Sequence, residues 1–230
     1  MPIVVQAALM VAIDPPRERA RFLPASRLPR RLVQLYAGLV LYGVSMAMMI
    51  RAQLGLDPWD VFHQGVANRL GWSFGTVTIV VGAVVLLAWI PLRQLPGIGT
   101  VSNVVVIGLA VDAALAILHR PDALWARIAL MVASIVLNGL AGGCYIGAGL
   151  GPGPRDGLMT GLVRRTGGSV RLVRTGIEAV VLATGWLLGG SIGIGTVLYA
   201  LAIGPLVHFF LPRLTVPDRP SVAGSPVREG

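Results

Sequence analysis

Apolar residues fall in long runs separated by short polar breaks. Six runs stand out, over about residues 32–50, 73–92, 98–118, 128–149, 172–190 and 192–211. Each is close to the roughly 20 residues that a helix needs to cross a hydrocarbon core of about 30 Å. The pattern predicts an all-α, polytopic membrane helix bundle. Two shorter and more polar stretches lie between the runs, Asp57–Leu70 (DPWDVFHQGVANRL) and Pro154–Arg165 (PRDGLMTGLVRR). They are short for full spans and suit re-entrant or interfacial helices.

Sliding the sequence over itself by 96 positions relates its two halves. Gly55, Pro58, Asp60, Gly65, Arg69, Gly71 and Ser73 fall on Gly151, Pro154, Asp156, Gly161, Arg165, Gly167 and Ser169. Gly97-Ile98-Gly99-Thr100-Val101 falls on Gly193-Ile194-Gly195-Thr196-Val197, and Arg31 falls on Arg127. No gap is needed from Arg31 to Asp112, and roughly a third of those positions are identical, as internal repeats require. Gly, Pro, Asp and Arg in register argue for tandem duplication far more strongly than shared apolar residues would. The expected organisation is an Arg-rich segment over 1–30, a first repeat over 31–118, a linker over 119–126, a second repeat over 127–211 and a disordered tail over 212–230. Each repeat holds three long helices and one short helix started by Pro and Gly. If the short helices do not cross, there are six crossings and the repeats are inverted; if they cross, there are eight and the repeats are parallel. Arg placement leans toward the inverted arrangement, with both termini cytoplasmic.

Composition agrees with membrane insertion. The chain is 55% hydrophobic and 13% charged, against about 25% charged in average proteins. Its mean hydropathy is +0.77. All 19 basic residues are Arg and the net charge is +9. These Arg residues flank apolar runs instead of forming one basic face, which points to topogenic charge against anionic headgroups and away from nucleic acid. A single cysteine, Cys144, excludes an intrachain disulfide. The opening MPIVVQAALMVA is too short to span and lacks a basic start, so it does not read as a cleaved signal.

Candidate chemistry centres on a motif that occurs twice, as Gly55-Leu56-Asp57-Pro58-Trp59-Asp60 and Gly151-Pro152-Gly153-Pro154-Arg155-Asp156. Proline suits the first helical position, and a carboxylate two residues later meets orphan amides and the positive end of the helix dipole. Read structurally, these are two helix starts. Read functionally, two broken helices aim their ends into one cavity, with Asp60 and Asp156 as proton or cation sites. Glu178 is the one acidic residue well inside a long run, so it must be paired with Arg174, protonated or turned to water. His63, on the first short helix beside Trp59, is a further candidate contact. Asp112 and His208 occupy equivalent run ends and are expected to reach for headgroups. Tyr42, Asn103 and Asn138 suit helix–helix hydrogen bonds. Trp72, Trp89, Trp125 and Trp186 suit an interfacial belt. His63, His119 and His208 are too scattered for a metal cluster, and no catalytic constellation or cofactor motif is evident.

The stretch Gly55–Gly65 (GLDPWDVFHQG), following a first membrane helix, resembles the signature of the YczE/YyaS/YitT group of bacterial integral membrane proteins. The stretch Gly151–Leu158 (GPGPRDGL) is similar to it, so the resemblance spans most of Arg31 to Phe210. It implies a bacterial inner-membrane protein and no particular activity.

Three function classes compete. The leading expectation is a small secondary transporter or channel-like carrier with its site where the repeats meet, formed by Gly55, Pro58, Asp60, His63, Gly151, Pro154, Arg155, Asp156 and Glu178. The alternative is a non-transporting scaffold or accessory protein for a partner enzyme. An enzyme ranks last, for want of a nucleophile or metal site. The expected partners are the lipid bilayer and a small molecule or ion; a homo-oligomer is compatible with the sequence.

Overall fold

The computed structural model describes residues 27–217. The expectations for residues 1–26, and for the tail beyond 217, lie outside the described residues. Within them are eight α-helices and no strand: α1 (Leu28–Ala52), α2 (Pro58–Leu70), α3 (Phe74–Trp89), α4 (Ile98–Ile117), α5 (Leu124–Gly147), α6 (Pro154–Thr166), α7 (Val170–Leu187) and α8 (Ile194–Leu214). The fold is an all-helical membrane bundle.

Four helices, α1, α4, α5 and α8, are long and apolar enough by length and composition alone to cross a membrane. The other two long runs differ for identifiable reasons. Helix α3 has 16 residues, about 24 Å at 1.5 Å per residue. Helix α7 carries Arg171, Arg174 and Glu178 in its first half. Helices α2 and α3 pass the same test as one span bent by 114°.

Local sequence sets the helix ends. Pro58 and Pro154 occupy the first turns of α2 and α6, where a missing N–H costs nothing. Gly71 and Gly167 end them in the left-handed conformation, each at φ 68°. Ser73 and Ser169 cap α3 and α7 by accepting from the amides of Thr76 and Leu172. At the starts of α4 and α8, the Gly97 and Gly193 amides donate to the Thr100 and Thr196 hydroxyls, 3.2 Å in each case.

Helices α1 and α5 form the central pair and run antiparallel. The Arg31 guanidinium donates to the Ala148 carbonyl (2.8 Å) and Gln34 to that of Cys144 (3.0 Å). Asn138 donates to the Ser45 hydroxyl (2.8 Å), the Ser134 hydroxyl oxygen lies 3.1 Å from the Met49 sulfur, and Arg127 donates to the Ala52 carbonyl (2.8 Å). Residue numbers on α5 fall as those on α1 rise. Helix α4 packs on α1, and α8 on α5. These contacts rest on Gly43, where an added Cβ would lie 2.6 Å from Ala110, and on Gly139, where it would lie 2.6 Å from Leu206. Each short helix crosses to the far side, α2 packing on α7 and α6 on α3.

One pairing breaks this correspondence. Helix α3 packs closely on α4, because Gly75 brings its backbone against the Gly108 carbonyl. The position corresponding to Gly75 on α7 is Arg171, and α7 makes no comparable packing with α8.

Two expectations about individual residues need correction. Trp89 is no belt residue: it is 2% exposed, and its indole N–H donates to the Pro154 carbonyl at 3.0 Å. Asp112 does not reach for headgroups. It accepts from the Gly75 amide (2.7 Å) and the Ser73 hydroxyl (2.5 Å), so it serves the start of α3. Trp72, Trp125 and Trp186 are exposed, as a belt requires. At the other end, Val216 is buried and its amide donates to the Gly147 carbonyl, which ties down the chain just after α8.

Candidate functional site

The starts of α2 and α6 meet at the middle of the bundle, and local backbone chemistry puts them there. Gly55 (φ 110°) and Gly151 (φ 126°) turn the chain out of α1 and α5 through a conformation that residues with a Cβ rarely adopt. A Cβ on Gly55 would also lie 2.5 Å from the Gly193 nitrogen, and one on Gly151 2.8 Å from the Thr100 hydroxyl. The extended segments that follow are pinned reciprocally. The Gly195 amide donates to the Leu54 carbonyl (2.7 Å), and the Gly99 amide donates to that of Leu150 (2.8 Å). The Thr100 hydroxyl adds a bond to the Pro152 carbonyl (2.8 Å). The Gly-Ile-Gly-Thr pairs therefore act as docking points for the segment that leads into each short helix.

Between these starts lies a cavity of about 220 Å³. Pro58, Trp59 and His63 of α2 reach its wall, as do Pro154, Arg155 and Asp156 of α6. Arg174 and Glu178 line it from α7, joined by a 2.9 Å ion pair. Tyr42, Asn103, Asn138, Tyr145 and Tyr199 complete the polar wall, while Val81, Val85, Ile107 and Ile203 are among its apolar lining.

Arg155 dominates the charge distribution. Its guanidinium carbon sits 4.9 Å from the centre of the Trp59 ring, within cation–π range. Its nitrogens are 3.9 Å from Asp57 and 3.8 Å from Asp60, too far for hydrogen bonds. The side chain is 30% exposed. Arg155 also lines the cavity, so N–H groups that bond neither carboxylate are available to what fills it.

The carboxylates play unequal roles. Asp57 caps α2, one oxygen accepting from the amides of Trp59 (2.9 Å) and Asp60 (3.1 Å). Asp60 is 1% exposed and lies 3.3 Å from the His63 Nδ1. It is absent from the wall of the large cavity and lines a smaller one behind it, of about 10 Å³. Asp156 accepts from the Tyr145 hydroxyl at 3.4 Å. His63 is buried edge-on against Phe74.

Of the residues expected from sequence, Pro58, His63, Pro154, Arg155, Asp156 and Glu178 gather on one cavity; Gly55 and Gly151 are absent from its wall and form the turns leading to it, and Asp60 lines the adjoining pocket. Sequence reasoning missed Asp57, Trp59 and Tyr199. A signal for Tyr199 existed: at the offset of 96, Tyr42 falls on Asn138 and Asn103 on Tyr199, so the two positions exchange the same residue types. Tyr199 donates to Asn138 at 2.9 Å.

No group of three His, Cys, Asp or Glu side chains able to hold a metal occurs among the described residues. The spacing Gly-x-Ser-x-Gly occurs at Gly189–Gly193, but it lies between two helices and not on a strand-to-helix turn.

A Haemophilus influenzae protein, named only as uncharacterised, is 38% identical over 177 residues, which cover 77% of this chain and 81% of that one. The uncharacterised membrane protein YczE of Bacillus subtilis is 37% identical over 181 residues, covering 77% of this chain and 84% of its own. YyaS of the same bacterium is 24% identical over 182 residues, covering 76% and 89%. No solved structure matches. Residues 29–212 match the family of unknown function DUF6198, and the chain belongs to this YczE-like family of membrane proteins.

Proposed function

We propose that this protein is a small secondary transporter or channel-like carrier of the bacterial inner membrane, built as an inverted duplication and binding its solute where the units meet. The observation that carries this reading is the shared cavity of about 220 Å³ into which both short helices begin. Helix starts at membrane depth leave amides unpaired, which is tolerable only where protein or water satisfies them. Two such starts around one polar, partly apolar chamber are the arrangement that broken-helix carriers use.

The inverted arrangement draws support from the antiparallel α1 and α5, which hold equivalent places at the offset of 96. Opposite directions for equivalent spans call for an odd number of crossings per unit. Three crossings, with α2 and α6 dipping in without crossing, satisfy that; four do not. The termini then share one side, which the Arg-rich flanks make cytoplasmic. No catalytic step is proposed. The partners of this reading are lipid and a small solute or ion.

The test is charge movement in proteoliposomes on a solid-supported membrane. Solute jumps would use a panel of amines, amino acids and carboxylates small enough for the cavity. The reading expects transients with at least one class, lost in Arg155→Met and Asp156→Asn. Folded protein that stays silent across the panel and co-purifies stoichiometrically with an enzyme would overturn it in favour of a scaffold.

A further inference from the structure

Behind the solute cavity lies the second pocket, of about 10 Å³. That is the space one water or one small ion occupies. Its polar wall is made by Asp57, Asp60, Ser45, Ser134, Asn138 and Tyr199. The only apolar members are Met46 and Met49, whose thioethers are weak acceptors.

The hydroxyl hydrogens of this wall are already committed. Ser45 donates to the Tyr42 carbonyl (2.6 Å), Ser134 to that of Met131 (2.7 Å), and Tyr199 to the Asn138 side-chain oxygen (2.9 Å). Asn138 in turn donates from its amide nitrogen to Ser45 (2.8 Å). What the three hydroxyls have left for the pocket is lone pairs. One oxygen of the buried Asp60, Oδ1, makes no hydrogen bond of good geometry; its near neighbours are the His63 Nδ1 at 3.3 Å and Arg155 at 3.8 Å.

Charge points the same way. Asp57, Asp60, Asp156 and Glu178 surround the two pockets against Arg155 and Arg174, four carboxylates to two guanidinium groups. Arg155 hydrogen-bonds neither Asp57 nor Asp60. Arg174 and Glu178 pair with each other, so the buried surplus is Asp57, Asp60 and Asp156 against Arg155, and it is balanced by a bound cation or by protons.

We propose that the pocket bounded by Asp57, Asp60, Ser45, Ser134, Asn138 and Tyr199 is a binding site for a single sodium ion. A wall rich in acceptor oxygens suits a hard cation. The local pair of carboxylates beside one guanidinium leaves a single net negative charge, which suits a monovalent ion such as sodium and disfavours a divalent one. The set of ligands is not repeated in the second unit. At the offset of 96, Ser45 becomes Ala141, Ser134 becomes Gly38 and Asp57 becomes Gly153, so the second unit lacks these ligands. The site stands on this cluster; its service as a coupling ion rests on the transport reading. Asp57 and Trp59 share the start of α2, so an ion bound to Asp57 and Asp60 would loosen their hold on Arg155 and free it for solute.

The test is thermal unfolding of the purified full chain in detergent at pH 7 and constant ionic strength, in sodium, potassium or choline chloride. The site predicts a saturable rise in Tm with sodium alone, by linkage to the folded state. Asp60→Asn and Ser134→Ala should each move the half-saturating sodium concentration up at least tenfold. If Asp60→Asn does not fold, Ser134→Ala, which deletes one hydroxyl, decides alone. Equal Tm in the three salts, a sodium response unchanged in Ser134→Ala, or stabilisation by acid without any by sodium would overturn the proposal. Sodium binding without solute currents would instead remove the transport reading and leave the ion site standing.

Discussion

Arg155 stacks on Trp59 with its guanidinium carbon 4.9 Å from the ring centre, and the two residues hold the same place in the two helix-start motifs, one before Asp156 and one before Asp60. In the inverted arrangement proposed above, equivalent positions of the two units touch only near the axis that relates them. The same axis organises the reciprocal bonds from Gly195 to Leu54 and from Gly99 to Leu150. It also relates those from Arg127 to Ala52 and from Arg31 to Ala148. Such i-to-j and j-to-i pairing is the mark of a two-fold relation. In this protein it puts a cation and an aromatic face at the centre of the cavity.

That contact is measurable as a coupling. A double-mutant cycle of Trp59→Leu and Arg155→Met, read by thermal unfolding, should give an interaction of about 0.5–2 kcal/mol. Strictly additive effects would mean that the stacking contributes nothing.

The two Asp residues of the first motif should separate by role. Asp57→Ala removes the cap of α2 and should cost about 0.5–2 kcal/mol of stability. Asp60→Asn keeps the shape of a side chain that caps nothing, and should fold while losing solute-driven current. Equal loss of stability in both, with current preserved in Asp60→Asn, would assign Asp60 a purely structural part.

Glycines on α7 supply an internally controlled packing test. A Cβ on Gly185 would lie 2.5 Å from the Phe62 backbone, whereas Gly176 faces open space. Gly185→Ala should therefore destabilise by about 1–3 kcal/mol. Gly176→Ala should be neutral or stabilising, by up to about 1 kcal/mol. Thermal unfolding of both variants checks the pair, and a larger loss at Gly176 would contradict the packing of α2 on α7.

Arg127 holds the carbonyls of Ala52 and Gln53 at the end of α1, at 2.8 and 2.7 Å. Arg127→Ala leaves both without that donor and should cost about 1.5–3 kcal/mol, the range for hydrogen bonds to a charged group. Arg127→Lys, lacking the planar fork, should recover only part. Full recovery would show that charge alone matters there.

The long helices and the paired motifs were legible because runs of apolar residues and in-register Gly, Pro and Asp carry direct physical meanings. Other features were hidden by how one residue type serves two settings. Trp89 looks interfacial from its place near the end of a run, yet it donates to the Pro154 carbonyl, because Gly157 of α6 leaves room for its ring. Asp57 caps α2 through the local amides of Trp59 and Asp60, but its place beside Arg155, at 3.9 Å, depends on segments far apart in sequence. Trp59 and Arg155 share a place in the motif but not a chemistry, so identity-based alignment of the halves passes over their contact.

Thiol accessibility tests the central claim most directly. In a Cys144→Ser background, Val81→Cys and Ile177→Cys place single thiols at equivalent points of the cavity wall. A membrane-impermeant maleimide would be applied to right-side-out and to inside-out vesicles. The account predicts that both positions react, and that the reactive side changes when sodium or solute is added, as a cavity between inverted units exposes itself to each face in turn. Labelling from neither side under any condition, equal to that of a lipid-facing control at Leu109, would contradict it.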